Sequence, residues 1–265
     1  MRVVTKVLSK QLRDQYDRDG VAFPIRVFST DEVSFFRDAL ESIINTCGSV
    51  KRLDNLHLFF DWTRRLLTHA SLLDVIEDVL GPDILVFGTL VFYKPPRDSS
   101  YASWHQDSVY SGLHLTPSTS AWIALTPSRP ENGCMRVIPG SHKLGQLAHT
   151  NRQDQSNLLK RGEQLAMVDE SQAADVVLQP GEMSLHQSTI IHGSNANRSE
   201  EPRMGFIVRF VTNQIQNRER AMLRVRGKAD CSHLILAEPP RETDRQRAVE
   251  SWLAFRDPFP GGGPR

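Results

Sequence analysis

The sequence predicts a mainly β fold with flanking α-helices, arranged as a double-stranded β-helix, the jelly roll of cupin-like proteins. Helical patterns are concentrated before residue 82 and near the C-terminus. Between them, short runs rich in apolar and β-forming residues alternate with turn formers. Short strands at such spacing, after a helical segment, are typical of a jelly roll with helices packed outside it. The predicted strands span 84–93, 120–126, 134–138, 175–179, 183–192 and 203–212.

The chain of 265 residues is predicted to form one domain, because all-β barrels of this length are often single. We divide this domain into a helical N-terminal part at 1–82, a jelly-roll core at about 83–212 and a helical C-terminal tail at 213–265. The hydrophobic fraction of 39% is ordinary for a globular protein and supports a substantial buried core.

Capping and periodicity signals predict the helices. One helix begins at a capping box, in which Ser29 and Glu32 are three residues apart, and ends near Cys47. The strand that precedes this helix contains Pro24, which restricts it to a sheet edge or an irregular position. The helices are predicted at 9–19, 29–47, 66–80 and 244–255, and the strand with the proline at 21–28.

Residues 143–170 show no clear strand pattern and are rich in polar residues. A structureless segment of this length is unusual inside a compact domain unless it has a function. Two interpretations remain open from the sequence: a lid over the substrate, or a surface loop.

Composition disfavours several classes of partner. The net charge is +1 and the isoelectric point is near 7.8, so neither a nucleic-acid-binding surface nor a membrane surface is indicated. Three cysteines and an N-terminus without an apolar signal core favour a reducing, cytoplasmic location. The expected partner is a small-molecule substrate, and the sequence leaves the oligomeric state open.

The most informative stretch is Ser103-Trp104-His105-Gln106-Asp107-Ser108. On a β-strand, His105 and Asp107 would point to the same face, because side chains alternate with a period of two. An imidazole beside a carboxylate is half of a metal site, and the distant His192 is the best candidate for the other half. Two histidines and one carboxylate on one face of a metal suit non-haem Fe(II) used for oxygen chemistry.

A second pattern concerns Arg203. The middle of the segment 192–203 is rich in turn formers, and apolar, strand-like residues flank it on both sides. A hairpin with its turn near Asn197 and Arg198 would place Arg203 almost opposite His192, with Cβ atoms about 5 Å apart. A guanidinium is a fixed fork for a carboxylate, so the pattern predicts a small dicarboxylate beside the metal.

These motifs, with the blocks between them, resemble the phytanoyl-CoA dioxygenase-like (PhyH) family of Fe(II)/2-oxoglutarate-dependent oxygenases. A lone His-x-Asp pair is weak, but its combination with the distant His, the Arg and the intervening blocks is specific. The resemblance extends roughly from Tyr16 to Thr212. Its blocks are SWHQD at 103–107, AWIAL at 121–125, PENGCMRVIPGSH at 130–142, PGEMSLH at 180–186, HGS at 192–194 and PR at 202–203.

The resemblance implies a role for each of these residues. His105, Asp107 and His192 would bind Fe(II) as the catalytic centre, and Arg203 would bind the far carboxylate of 2-oxoglutarate. Trp122 and Ser194 would contact the same co-substrate, although Trp122 could equally be a core residue and Ser194 could simply hold a turn.

Other polar residues near the motifs have less specific predicted roles. His186 shares a face with His192 if the strand at 183–192 is regular, so it lines the pocket or is a structural histidine. Gln106 and Trp104 should point away from the metal, and His142 fits a loop role. Arg209 is expected near the far end of its strand, in a structural ion pair or, as a second choice, at an anionic group of the substrate.

The resemblance further implies that 2-oxoglutarate and O2 are consumed, that succinate and CO2 are released, and that a C–H bond of a small or medium-sized metabolite is hydroxylated. Related halogenating enzymes carry a small residue in place of the carboxylate, so Asp107 indicates hydroxylation-type chemistry. Two alternatives remain open. The same cofactors could serve desaturation, cyclisation or epoxidation, and a non-catalytic jelly roll could bind a metal or ligand as a sensor.

Overall fold

The computed structural model describes residues 7–48, 50–109, 113–217, 219–240 and 245–255. Its helices are α1 (Lys10–Asp19), α2 (Thr30–Cys47), α3 (Trp62–Leu67), α4 (Ala70–Leu80) and α5 (Arg245–Phe255). Its strands before residue 170 are β1 (Val21–Arg26), β2 (Arg52–Asp54), β3 (Ile84–Lys94), β4 (Ala102–His105), β5 (Ser118–Ala124), β6 (Met135–Val137), β7 (Thr150–Asn151) and β8 (Glu163–Gln164). The later strands are β9 (Ala174–Val176), β10 (Glu182–Gln187), β11 (His192–Ser194), β12 (Arg203–Val211), β13 (Ala221–Arg226) and β14 (Ile235–Leu236).

Two sheets build the jelly roll. The larger sheet has the order β1-β10-β5-β12-β3-β13-β14, with β2 also paired to β3, and the smaller has the order β4-β11-β6-β9. The sheets face each other, because Trp122 and Ile207 of the larger sheet share a buried cluster with Met135 and Val137 of the smaller one. The predicted fold class is therefore confirmed.

The helices cover the outer face of the larger sheet. Ile123 and Phe206 alternate along their strands with the inward Trp122 and Ile207, and they pack with Phe36 of α2 in the main hydrophobic cluster. Leu72 and Ile76 of α4 and Trp252 of α5 join the same cluster. The larger sheet is thus buried on both faces, which explains the nearly continuous apolar sequence of β3.

Several predicted elements are confirmed. The capping box at Ser29 and Glu32 is formed, with both reciprocal hydrogen bonds present. β1 is the edge strand of the larger sheet, and its pairing with β10 is interrupted around Pro24, as expected for a proline that cannot donate a ladder hydrogen bond. The helix predicted at 66–80 is divided into α3 and α4 by a break at Thr68 and His69.

Three predictions are corrected. The segment 183–192 is two strands, β10 and β11, which lie in different sheets because residues 188–191 turn between them. The tail at 213–265 is only partly helical, since β13 extends the larger sheet by pairing with β3. The sheet also exceeds the predicted core at 83–212 on the N-terminal side, where β1 and β2 join it.

The segment 143–170 contains the two-stranded ribbon β7–β8, which the sequence did not predict. It is tied to the jelly roll by backbone and side-chain contacts. The Leu158 N–H donates to the Tyr101 carbonyl at 2.8 Å, and Arg52 Nη1 donates to the Leu158 carbonyl at 2.9 Å. Leu158 and Leu159 are buried, and Leu159 lies against the space between the two sheets.

Within the described residues, the helices are too short or too polar to span a lipid bilayer.

Candidate active site

His105, Asp107 and His192 converge between the two sheets. His105 ends β4, Asp107 opens a short 3-10 turn at 107–109, and His192 begins β11 directly beside His105 in the pairing of these strands. One ligand atom from each residue lies within 4.8 Å of the others, and all three residues are buried. The turn, rather than a regular strand as the alternation argument assumed, brings Asp107 to the same side as His105.

Backbone carbonyls fix the orientation of both imidazoles. His105 Nδ1 lies 2.8 Å from the Ser103 carbonyl, and His192 Nδ1 lies 3.1 Å from the Ile190 carbonyl. Because a carbonyl only accepts, each Nδ1 carries the proton and each Nε2 presents a lone pair. This is the usual arrangement of metal-ligating histidines, whose second nitrogen is held by a hydrogen bond.

The protonation states of these side chains suit a cation. Burial lowers the pKa of His105 and lowers that of His192 well below its ordinary value, so both rings are neutral. Burial alone would raise the pKa of Asp107, but the charge of Arg209 and the neighbouring His186 outweigh it and hold that pKa well below its usual value. Two neutral imidazoles and one carboxylate can hold a divalent metal with open positions for other ligands.

Arg209 contacts Asp107 directly. Its Nη2 lies 2.6 Å from Asp107 Oδ1, in an ion pair that is almost fully buried on the carboxylate side. The structural ion pair predicted for Arg209 is therefore present, and its partner is a residue of the candidate metal cluster. No local pattern predicts this partner, because 102 residues separate the two side chains along the chain.

Arg203 is a buried cation without an anionic partner among the described residues. It is 1% exposed, and its Nε and Nη2 atoms have no hydrogen-bond acceptor there. Its guanidinium lies over the ring of Trp122, 5.2 Å from the centroid. Gly205 makes room for that ring, since a Cβ at residue 205 would lie 2.1 Å from a ring atom.

Lys94 is the residue beside Arg203 that sequence reasoning missed. It is the register partner of Arg203 on β3 and is 0% exposed. Its Nζ donates to Ser194 Oγ at 2.8 Å and to the Asn195 carbonyl. Burial and the neighbouring Arg203 lower the pKa of Lys94 to about 6. The available signal was a lysine at the end of the apolar run 84–93.

The hairpin proposed between His192 and Arg203 is wrong. His192 pairs with His105 and Val137 in the smaller sheet, whereas Arg203 belongs to the larger one. Residues 195–202 cross between the sheets, and the buried Asn197 holds this crossover by donating to the carbonyls of Lys94, Pro95 and Glu201. Arg203 therefore faces the three candidate metal ligands across the gap between the sheets. It does not reach them along a hairpin.

One cavity joins the cluster to Arg203. It encloses about 530 Å³ of space not filled by atoms, including its opening to solvent. Both arginines of β12 line it, with an apolar wall from both sheets and from the segment 143–170. Its lining includes His105, Asp107, Trp122, His186, His192, Ser194, Arg203 and Arg209, with Arg52, Leu90, Phe92, Ala102, Met135, Leu159, Gly193 and Ile207.

The other polar residues singled out in the sequence differ in whether they line the cavity. His186 lines the cavity, with Nε2 3.7 Å from Asp107 Oδ2, although it lies on a different sheet from His192. Gln106 points away from the cluster and holds the 145–147 backbone by hydrogen bonds. Trp104 packs under the guanidinium of Arg136, and His142 lies in the 3-10 turn at 141–144.

A jelly roll that holds two histidines and a carboxylate in this arrangement is the scaffold of a non-haem iron oxygenase. The family model of phytanoyl-CoA dioxygenase (PhyH) matches residues 16–205, and the chain belongs to this family. It is an Fe(II)/2-oxoglutarate-dependent dioxygenase, with Fe(II), 2-oxoglutarate and O2 as the reactive components.

Individual relatives agree with this assignment. The chain is 26% identical to the ectoine dioxygenase of Sphingopyxis alaskensis over 232 residues, covering 77% of this chain and 75% of the relative. The solved structure of the non-haem monooxygenase ThoJ superposes with a TM-score of 0.77 at 28% identity and covers 92% of this chain and 94% of ThoJ. EctD from S. alaskensis, solved with 2-oxoglutarate and 5-hydroxyectoine, shares the fold with a TM-score of 0.64 at 22% identity, covering 79% of this chain and 78% of EctD.

Proposed function

We propose that His105, Asp107 and His192 bind Fe(II), that Arg203 and Lys94 bind the far carboxylate of 2-oxoglutarate, and that the enzyme hydroxylates a C–H bond of a small or medium-sized metabolite with release of succinate and CO2. One observation carries the co-substrate part of this proposal: Arg203 is a buried guanidinium with unsatisfied donors in the same cavity as the three candidate ligands.

The guanidinium of Arg203 carries a buried positive charge. A buried cation is strongly unfavourable unless it is paired, and the described residues offer Arg203 no carboxylate. Arg209, on the same strand, already pairs with Asp107. A dianion that bridges the metal and Arg203 would satisfy both ends of the cavity, which is what the two carboxyl groups and the keto oxygen of 2-oxoglutarate provide.

Lys94 strengthens this binding site. In the ligand-free protein its pKa is about 6, so near pH 7 it is largely neutral beside Arg203. A carboxylate placed between Lys94 and Arg203 would stabilise the charged ammonium, because an opposite charge nearby favours the charged form. We therefore expect 2-oxoglutarate to bind with uptake of a proton by Lys94.

Ser194 and Trp122 support the same end of the cavity. Ser194 accepts a hydrogen bond from Lys94, so its hydroxyl orients the ammonium. Trp122 lies under the guanidinium of Arg203 and fixes its plane through a cation–π contact. Both residues were predicted as co-substrate contacts, and in this proposal they act mainly through Lys94 and Arg203.

The bound iron would supply the oxidation of the C–H bond. The chain holds its ligands at the correct side of the cavity and surrounds the reacting centre with apolar side chains such as Leu90, Phe92 and Leu159. Such a wall excludes water and strengthens the electrostatic contacts inside. The carboxylate of Asp107 favours hydroxylation over halogenation, since it occupies the position that a halide would need. The ectoine dioxygenase relative supports a small-molecule substrate.

The test is reconstitution under anaerobic conditions. Wild-type protein loaded with Fe(II) is titrated with 2-oxoglutarate while the metal-to-ligand absorbance band is followed, and succinate is then measured after exposure to O2. We expect one Fe(II) per chain, a saturable band and succinate formation that depends on both Fe(II) and 2-oxoglutarate. Succinate release without any need for Fe(II), or a wild-type affinity for 2-oxoglutarate in Arg203→Met, would contradict the proposal. Mass analysis of products from a substrate panel separates hydroxylation from desaturation, cyclisation and epoxidation.

A further inference from the structure

We propose that Arg209 is a positioning residue that fixes the orientation of the Asp107 carboxylate toward the metal. This inference rests on the proposed function, in which Asp107 is a metal ligand. The side chains that hold Asp107 belong to the larger sheet.

The register of three neighbouring strands lines up donors under Asp107. His186 on β10 pairs with Ser120 on β5, and Ser120 pairs with Arg209 on β12. Residues directly opposite each other on antiparallel strands point to the same face, so their side chains form one row across the inner face of the sheet. We call His186, Ser120 and Arg209 the carboxylate row.

Each oxygen of Asp107 is held by a member of the carboxylate row. Arg209 Nη2 lies 2.6 Å from Oδ1, and Ser120 Oγ donates to Oδ2 at 2.9 Å. His186 Nε2 lies 3.7 Å from Oδ2. With a donor on each oxygen the carboxylate cannot rotate about its axis without losing a hydrogen bond. Each oxygen has two lone pairs, so a further lone pair remains for a metal.

Asp107 needs such support because of its position in the chain. It lies on a short 3-10 turn after β4, where no regular strand ladder fixes its backbone. The two histidine ligands, by contrast, belong to strands that pair with each other. The larger sheet therefore orients the one ligand that the smaller sheet does not hold by strand pairing.

Charge and positioning make opposite predictions for removal of Arg209. A guanidinium close to a divalent cation repels it, so charge alone predicts that a neutral residue would tighten metal binding. If Arg209 positions Asp107, its loss instead frees the carboxylate, and loss of such outer-shell partners costs roughly 10- to 100-fold in metal affinity. The sign of the change distinguishes the two effects.

Arg203 provides a matched control on the same strand. It lies six residues before Arg209, faces the same cavity and carries the same charge, but it makes no ion pair among the described residues. Substitution of Arg203 changes the charge of the cavity to the same extent without touching Asp107. Comparison of the two variants therefore separates an effect on Asp107 from a general effect of charge.

The experiment titrates Co(II) into metal-free wild-type protein, Arg209→Met, Arg209→Lys and Arg203→Met, without 2-oxoglutarate, and records the d–d absorption of the bound metal. We expect Arg209→Met to bind Co(II) roughly 10- to 100-fold more weakly, with an altered d–d spectrum that reports a changed ligand set. Arg209→Lys should recover part of the affinity, and Arg203→Met should keep the wild-type spectrum. Equal or tighter binding by Arg209→Met would overturn the proposal.

Two further arms keep the result interpretable. If Arg209→Met does not fold, as judged by circular dichroism, Arg209→Gln carries the same test, and wild-type affinity in that variant would overturn the proposal. His105→Ala reports on the proposed function itself. If wild-type protein and His105→Ala bind Co(II) alike, the metal assignment fails. If His105→Ala loses Co(II) binding while the Arg209 variants bind Co(II) as wild type does, the inference about Arg209 fails and the metal assignment stands.

Discussion

Arg203 and Arg209 show how two similar side chains on one strand acquire different tasks. Both lie on β12, both line the same cavity and both are largely buried. Arg209 has a carboxylate partner 2.6 Å away, whereas Arg203 has none among the described residues. A paired buried charge belongs to the scaffold of the site. A buried charge left with unsatisfied donors indicates a position at which a ligand completes the structure.

The largest expected effect is on metal binding by His105, Asp107 and His192. His105→Ala removes a ligand and should weaken Fe(II) binding by more than about a hundredfold, beyond the range for outer-shell partners, with loss of turnover. Metal content after anaerobic loading and succinate formation measure this. His142→Ala is the control, because His142 lies outside the cavity lining. Full iron occupancy together with normal turnover in His105→Ala would refute the ligand assignment.

The second effect sharpens the contrast between the arginines. Arg203→Met should weaken the binding of 2-oxoglutarate by roughly ten- to a hundredfold, since a charge-assisted contact contributes about 1.5–3 kcal/mol. The same variant should be as stable as the ligand-free wild type, or more stable, because it removes an unpaired buried charge. Arg209→Met should lower the free energy of unfolding, since it leaves Asp107 without its cation. Thermal unfolding of both ligand-free variants checks this pair, and the reverse order would contradict it.

A third effect concerns pH and comes from Lys94. Its pKa is about 6 beside Arg203, which stays charged because burial lowers the pKa of that guanidinium only to about 10. Binding of a carboxylate raises the pKa of Lys94, so a proton is taken up whenever the pH lies between the two values. Affinity for 2-oxoglutarate should be greatest below about pH 6 and should fall by up to about tenfold per pH unit above it.

Calorimetric titrations of 2-oxoglutarate in buffers of different ionisation enthalpy measure this proton uptake. Lys94→Met should bind 2-oxoglutarate more weakly at low pH and lose most of the slope. Cys134, with its pKa raised by burial to about 12, does not titrate in this range. A wild-type affinity independent of pH from 6 to 8 would show that Lys94 does not change its protonation state on binding.

The smallest expected effect is that of Ser194. Ser194→Ala removes the hydroxyl that accepts from Lys94 and leaves two backbone carbonyls as its acceptors. A neutral hydrogen bond contributes about 0.5–1.5 kcal/mol, so affinity for 2-oxoglutarate should fall roughly two- to tenfold, with metal affinity unchanged. The anaerobic absorbance titration measures both quantities. A loss as large as that of Arg203→Met would mean that Ser194 contacts the co-substrate directly.

Features encoded locally were predictable from the sequence. The capping box of α2, the edge position of β1 and the proximity of His105 to Asp107 each depend on residues a few positions apart. The series of short strands separated by turns was likewise sufficient to predict the jelly roll, because this fold class follows from the spacing of the strands and not from the details of their pairing.

Features created by the pairing of distant strands were not predictable. Arg203 lines the same cavity as the three candidate ligands, but the hairpin predicted to bring it there is wrong, because nothing in residues 193–202 distinguishes a hairpin from a crossover between sheets. Lys94 beside Arg203, and Arg209 beside Asp107, arise from strand register and sheet packing between segments about a hundred residues apart. β13 was missed because its sequence, AMLRVR, is too short and too charged to stand out as a strand.

The different tasks of the two arginines can be tested by an anaerobic titration of 2-oxoglutarate into Fe(II)-loaded wild type, Arg203→Met and Arg209→Met. Iron is kept saturating, and the metal-to-ligand absorbance band is the readout. We predict that the dissociation constant of 2-oxoglutarate is roughly ten- to a hundredfold larger for Arg203→Met than for wild type. At the same saturating iron, Arg209→Met should bind 2-oxoglutarate nearly as wild type does, although it needs more iron to reach saturation. A larger loss of 2-oxoglutarate affinity in Arg209→Met than in Arg203→Met would contradict the division of tasks between the two arginines.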